Sequence, residues 1–164
     1  MKLKYLTAAE AVQLINSGDS IYIQGSTSIP EVLSQALADR GSELRDVTIY
    51  AAFAVGRCEA PYCKPEYKDS FNVKSLFVAN NIRKWLAAGY GSTIPAFLGE
   101  IPGLFRDGTL PLDAVFLNVS PPNAEGYCSY GISADLAVSA VECARKVIVQ
   151  VNKAMPFSYG DALI

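Results

Sequence analysis

The chain has 164 residues, 51% of them apolar and 18% charged, with a formal net charge of -2 and no histidine. That balance is the reverse of a disordered segment's, and a chain of this size buries roughly 70% of its unfolded surface in one unstapled domain. Its 14 basic residues are scattered, so there is no stripe to track a phosphate backbone and nucleic-acid binding is set aside; no apolar run reaches the length of a membrane span.

Helical and strand patterns alternate from end to end. Thr7 and Glu10 have the spacing of a capping box, Val12, Leu14 and Ile15 supply an apolar face, and Ser17 to Asp19 stop this first helix. Ser20 to Gln24 is a β-rich run that opens into Gly25 to Pro30. A second helix is expected from Pro30 to about Asp39, with Ser28 and Glu31 repeating the capping-box spacing and Pro30 in the first turn. Val47 to Ala51 reads as a buried strand, Arg57 to Phe71 as a proline-punctuated loop, and Lys74 to Ala79 as another strand. Asn81 to Ala88 is a helix closed by Gly89. Ala96 to Phe105 has one or two helical turns interrupted by Pro102. Ala114 to Val119 is a strand, Ala134 to Ala144 a helix, and Lys146 to Val151 a strand. Apolar strands alternating with helices predict a single α/β domain over 1–164, a mostly parallel sheet with helices on both faces. The apolar share is slightly high for a domain of this size. A sheet buried on both faces explains it, and so does a further face covered by something else.

Without histidine, the chain cannot build a Ser-His-Asp or Cys-His nucleophile, nor a histidine general base. Cys58, Cys63, Cys128 and Cys143 form neither a C-x-x-C pair nor a disulfide framework, and dispersed thiols argue against a metal site. Met1 to Tyr5 lack the apolar block of a signal peptide, so the expected setting is cytoplasmic with reduced thiols.

Two loops follow strands and precede helices, which is where open α/β sheets bind ligands. In Gly25 to Pro30, glycine and small hydroxylic residues stand before a helix start. Such a segment is either a plain turn with its cap or a set of amides for an anion or a polarised oxygen. The second loop, Ser120 to Gly131, leaves its strand through two prolines and sets Gly126 and Gly131 around an aromatic-thiol-hydroxyl centre. A loop this specialised points to a ligand. No G-x-G-x-x-G follows the first strand, which leaves a dinucleotide site without its fingerprint.

Residues 119–131 read V-S-P-P-N-A-E-G-Y-C-S-Y-G, which resembles the S-P-P-D-x-H-G-Y-C-S-L-G signature of the acetyl-CoA hydrolase/transferase N-terminal domain. Residues 151–161 are similar to that family's V-N-x-x-M-P-x-x-x-G-D ending. Residues 77–83 are similar to its F-x-x-x-N-x-R segment and residues 95–105 to its P-x-F-L-x-E-I-P-x-L-F segment. The four segments agree in order and spacing across the chain.

The resemblance implies the N-terminal half of a two-domain coenzyme A transferase of the 4-hydroxybutyrate CoA-transferase kind. In such enzymes a glutamate on the second domain attacks an acyl-CoA thioester; a mixed anhydride and then an enzyme-CoA thioester follow, and CoA passes to a small carboxylate such as acetate or 4-hydroxybutyrate. That glutamate is expected beyond Ile164, so no catalytic residue is expected in this chain and none of its activity in isolation. The coenzyme A thioester is substrate, no cofactor is permanently bound, and a homo-oligomer is expected. Carried over by position, Gly25, Ser26, Thr27 and Ser28 with Gly126, Tyr127, Ser129 and Gly131 face the acyl and CoA region. Asn80, Asn81, Arg83, Asn152 and Pro156 support the same wall.

The chain departs from the pattern at Asn123 (aspartate in the family), Glu125 (histidine), Tyr130 (leucine) and Ala51 to Ala54, where relatives often carry histidines. Several side chains have plain readings beside the functional ones. Glu125 is an acid-base group or a solvated loop carboxylate. Cys128 is a nucleophile or a small buried residue, and Arg83 a phosphate contact or a structural ion pair. Trp85 is a stacking platform or packing, and Asn152 a linker support or a turn initiator. An acyl-CoA hydrolase and a non-catalytic CoA-binding or assembly module are the alternatives to the transferase.

Overall fold

The computed structural model describes residues 4–55 and 60–164; Cys58 and the start of the expected 57–71 loop lie outside them. Six parallel strands form one sheet: β1 (Ser20–Ile23), β2 (Val47–Ala51), β3 (Phe71–Ser75), β4 (Ser92–Thr93), β5 (Ala114–Val119) and β6 (Lys146–Val151), in the order β4-β3-β2-β1-β5-β6. The helices are α1 (Ala8–Ala11), α2 (Glu31–Asp39), α3 (Asn80–Ala87), α4 (Ile101–Arg106) and α5 (Ala137–Cys143). The α/β reading holds, and the sheet is parallel throughout.

β1 and β5 are adjacent at the centre and every residue of both is buried. That burial is why they read as continuous apolar runs rather than alternating ones. One face packs Ile21, Ile23, Ile49 and Phe116 against α1, α2 and α3 through Ala11, Leu33, Leu37 and Ile82. The other packs Tyr22, Val115, Leu117 and Val119 against α4 and α5 through Ile101, Phe105, Ala137 and Ala140. The chain builds outward from β1 through β2, β3 and β4, then returns to add β5 and β6 on β1's other side. The strand order therefore reverses between β1 and β5.

Several local expectations are corrected. The third strand is Phe71–Ser75, not 74–79, because Leu76 to Ala79 turn out of the sheet: the Ser75 hydroxyl donates to the Phe77 carbonyl at 2.8 Å and Phe77 is 60% exposed. Its polar Asn72 and Lys74 alternate with buried Phe71 and Val73, as suits a strand near the sheet's edge, and the edge strand β4 is a two-residue exposed pair with no sequence signal. The last helix begins at Ala137 rather than Ala134, since Asp135 takes φ +22° and its carboxylate accepts from the Leu136 amide. α4 begins at Ile101, which puts Pro102 in its first turn as a tolerated residue and not an interruption.

The Thr7–Glu10 capping box forms, but the α-helix it opens is one turn long and passes into a 3₁₀ turn at Val12–Leu14, with Leu14 half exposed. At α2 the N-cap is Pro30 with no side-chain cap, so the expected Ser28 cap is absent. The Gln150 carboxamide oxygen, from β6, instead accepts from the Val32 and Leu33 amides at 3.0 and 3.4 Å.

Candidate functional site

All six strands point the same way, so the loops after them share one end of the sheet. The loops after β1 and β5 flank the gap where strand order reverses, the place where such sheets open a crevice. Around them stand the segments after β2 (52–55), β3 (76–79) and β6 (152–156). From β3 to β6 this rim spans roughly 20 Å at the usual strand spacing.

In the β1 loop Gly25 is buried, and a Cβ there would lie 2.6 Å from the Phe53 carbonyl oxygen and 2.8 Å from Ala52 Cβ. Glycine is required for contact with the neighbouring loop. Ser26, at φ +58°, donates from its amide to the Phe53 carbonyl at 2.6 Å, and its own carbonyl accepts from the Val55 amide at 3.0 Å. Thr27 is the exposed tip, and its amide has no hydrogen-bond partner among the described residues. Ser28 is fully buried with its hydroxyl unpartnered among the described residues. Because the Ile29 carbonyl takes the first amide of α2 and Gln150 the next two, any anion received here meets the loop rather than the helix end.

The β5 loop is locked at its base and open at its tip. The Ser120 hydroxyl oxygen accepts from the Ser129 amide at 2.9 Å; the fully buried Ser129 hydroxyl oxygen accepts from Gly131 and Ser158 amides, each at 2.9 Å. Cys128 and Ile164 exchange amide-carbonyl bonds at 2.9 Å, and the Tyr130 amide donates to Ala162, so residues 162–164 run antiparallel beside the loop. Gly131 has φ +68°, and a Cβ there would fall 2.2 Å from Met155 Sδ, which ties the loop to the 152–156 turn. At the tip, Asn123 Oδ1 accepts from the Glu125 and Tyr127 amides at 3.0 and 2.9 Å, and Gly126 takes φ +91° in open space. Glu125 and Tyr127 are exposed.

Asn152 initiates a turn: its Oδ1 accepts from the Ala154 amide at 2.9 Å, its carbonyl from Met155 at 3.0 Å, and Pro156 is exposed beyond. Asn81 and Arg83 sit on α3 at the far, β3 side of the rim. Asn81 Oδ1 is buried without a partner among the described residues, while the exposed Arg83 guanidinium donates to the Val78 carbonyl at 3.3 Å. Thus Gly25 to Ser28 and Gly126 to Gly131 stand across one gap, Asn152 and Pro156 lie beside it, and Asn81 and Arg83 are two strands away from β1.

Burial holds the Cys128 thiol above its ordinary range, which keeps it protonated at neutral pH, and pushes the Cys63 thiol up to about 11. Burial, with the charge of Asp135, also holds the Tyr22 phenol well above its usual range. Among the described residues no cluster of carboxylates and thiols could hold a metal ion, and no helix is long and apolar enough to cross a membrane.

Sequence reasoning missed Tyr22, Gln24, Asn118 and Asp135, which sit beneath the gap. The signal was present: Gln24 directly follows a fully buried strand, and Asn118 is the one amide side chain inside the apolar run of β5.

The chain matches the family described as acetyl-CoA hydrolase/transferase N-terminal domain over residues 2–164. It is 34% identical over 163 residues to a 4-hydroxybutyrate coenzyme A transferase of Clostridium kluyveri, covering 99% of this chain and 38% of that one. Among solved structures, RipA from Yersinia pestis superposes with TM-score 0.86 at 27% identity, over 97% of this chain and 39% of that one. A 4-hydroxybutyrate CoA-transferase from Porphyromonas gingivalis gives 0.78 at 32% identity, over 97% and 36%. The chain spans about a third of the length of the curated relatives it matches.

Proposed function

Since the chain belongs to the acetyl-CoA hydrolase/transferase N-terminal domain family, we propose that it forms one wall of a cleft in which CoA moves between a short-chain acyl-CoA and a small carboxylate. The observation that carries this reading is the pair of loops, 24–30 and 120–136, standing on either side of the β1–β5 gap. The other wall is a C-terminal domain bearing a glutamate nucleophile, and the full protein is a cytoplasmic homo-oligomer.

The chemistry suits what this chain offers. A carboxylate is a nucleophile at neutral pH without a general base, so a histidine-free wall is no obstacle. What the reaction asks of the wall is a rigid surface and donors for a developing oxyanion. The unengaged Thr27 amide is the donor available, since the amides of Glu125, Gly126 and Tyr127 already donate to Asn123; around Gly126 the wall offers open space. Cys128, buried and held protonated, plays no covalent part.

The test is CoA exchange by the full protein, with acetyl-CoA or butyryl-CoA as donor and acetate, 4-hydroxybutyrate or succinate as acceptor. The expected result is new acyl-CoA together with a protein species heavier by one CoA less one water, as a thioester on a carboxylate requires. Release of free CoA without any acceptor identifies a hydrolase instead. Neither exchange, release nor adduct means an assembly or binding module, and the catalytic reading fails.

A further inference from the structure

We propose that Gln24 is a positioning residue that fixes both loops of the cleft to one another through a single buried carboxamide. Gln24 is 1% exposed and stands between the end of β1 and Gly25. Its amide continues the ladder to the Phe116 carbonyl at 3.0 Å, but β5 runs on after β1 leaves the sheet. The Asn118 amide therefore loses its strand partner, and Gln24 Oε1 takes that place at 2.8 Å. The other end of the same group, Nε2, donates to the Ser133 carbonyl at 2.7 Å.

Ser133 belongs to the return leg of the β5 loop, where the chain comes back from Gly131 to α5. That leg is pinned a second time by the same face of β1: the Tyr22 hydroxyl donates to Asp135 Oδ1 at 3.4 Å, and Asp135 also accepts from the Ser133 hydroxyl at 3.1 Å. β1 thus holds the β5 loop from beneath while Gln24 leads directly into the β1 loop. A displaced Gln24 moves both walls of the gap together.

The site demands one acceptor facing Asn118 and one donor facing Ser133. Only a group carrying both, in a side chain of this length, fits. A neutral carboxyl carries both; a carboxylate has no donor and sets its charge against a carbonyl oxygen. Burial favours the neutral form of a carboxyl here. On the sheet face that Tyr22 shares with Tyr50 and Tyr130, all three phenols are held up by burial and stay neutral between pH 6 and 9, and the charge of Asp135, which already raises the Tyr22 phenol, opposes a second negative charge beside it.

The decisive comparison is Gln24→Glu against Gln24→Met in the full protein, followed from pH 6 to 9. Two readouts are taken, amide hydrogen exchange at residues 131–136 and CoA transfer. For Gln24→Glu we expect protection and kcat/KM within about threefold of wild type at pH 6, and both lower by roughly tenfold or more at pH 9. Gln24→Met should lose both at every pH, and wild type should show no matching transition. Recovery of Gln24→Glu at low pH also demonstrates that the variant folds.

Exchange at 131–136 that does not respond to pH in Gln24→Glu overturns the proposal. So does exchange that responds while transfer stays flat. The transfer arm rests on the reaction proposed above, whereas the exchange arm does not. Absent transfer in wild type would sink that reaction and leave the exchange arm to decide whether Gln24 is the clamp.

Discussion

Residues 24–30 and residues 120–136 flank the same gap, but different forces hold them. The first loop is short and depends on close fit: Gly25 lets the backbone lie against Phe53, where Ser26 makes two backbone bonds to Phe53 and Val55, and the Thr27 amide is left untied. The second is long, and hydrogen bonds hold it. Two serine hydroxyls and an antiparallel partner strand secure its base, an asparagine turn shapes its tip, and β1 side chains pin its return leg. A loop held by shape fails when atoms are added, whereas one held by polar bonds fails when an acceptor is removed. Substitutions in the two loops should therefore fail in opposite ways.

The largest effect should come from Gly25→Ala. The added Cβ would meet a carbonyl oxygen and another Cβ, neither at the end of a flexible side chain, so the backbone itself must move. We expect a loss of about 3 kcal/mol in denaturant unfolding, the upper range for an overpacked site. A loss below about 1 kcal/mol would mean that the two loops do not touch as described.

Ser129→Ala should come next, at about 2 kcal/mol, because the buried hydroxyl oxygen serves two backbone amides that then lose their acceptor. Exchange should quicken at Gly131 and Ser158 in particular. A uniform change across the domain would point to general loosening and not to the loss of this hydroxyl. Gly126→Ala is the control for Gly25. It has positive φ but open space, so only backbone strain remains, about 1 kcal/mol.

How much of this was legible before the structure depended on what each residue answers to. β1, β2, β5 and β6 were readable because their apolar runs mark strands of a parallel sheet, fully buried in β1 and β5 and only partly so in β6 at the sheet's edge. β3 was misplaced because its polar Asn72 and Lys74 interrupt the apolar run, and β4 unseen because it is a two-residue exposed pair that answers only to its neighbour β3. The site divides similarly. Its loops could be located from glycine and proline, which act locally. The bonds that organise the site, Gln24 to Ser133 and Gln150 to α2, join residues more than a hundred positions apart and have no local signature. The Ser28–Glu31 spacing misled because the helix starts after Pro30: the Glu31 amide that a Ser28 cap needs donates to the Ile29 carbonyl, and a distant glutamine takes the next two amides.

The smallest effect should be at Asn123, where the chain departs from the family's aspartate. Its role in the fold is carried by one oxygen, Oδ1, which accepts from the Glu125 and Tyr127 amides. Either residue type supplies that oxygen, and both suit such a turn. Asn123→Asp should therefore change stability by less than about 0.5 kcal/mol, whereas Asn123→Ala, which removes the acceptor, should cost about 1 kcal/mol. Unfolding curves of the pair separate two explanations of the departure. If Asp and Asn are interchangeable, the loop tip is conserved as a shape. If Asn123→Asp is instead costly, the exposed tip is tuned to neutral charge. Glu125 beside it then becomes the residue to neutralise next.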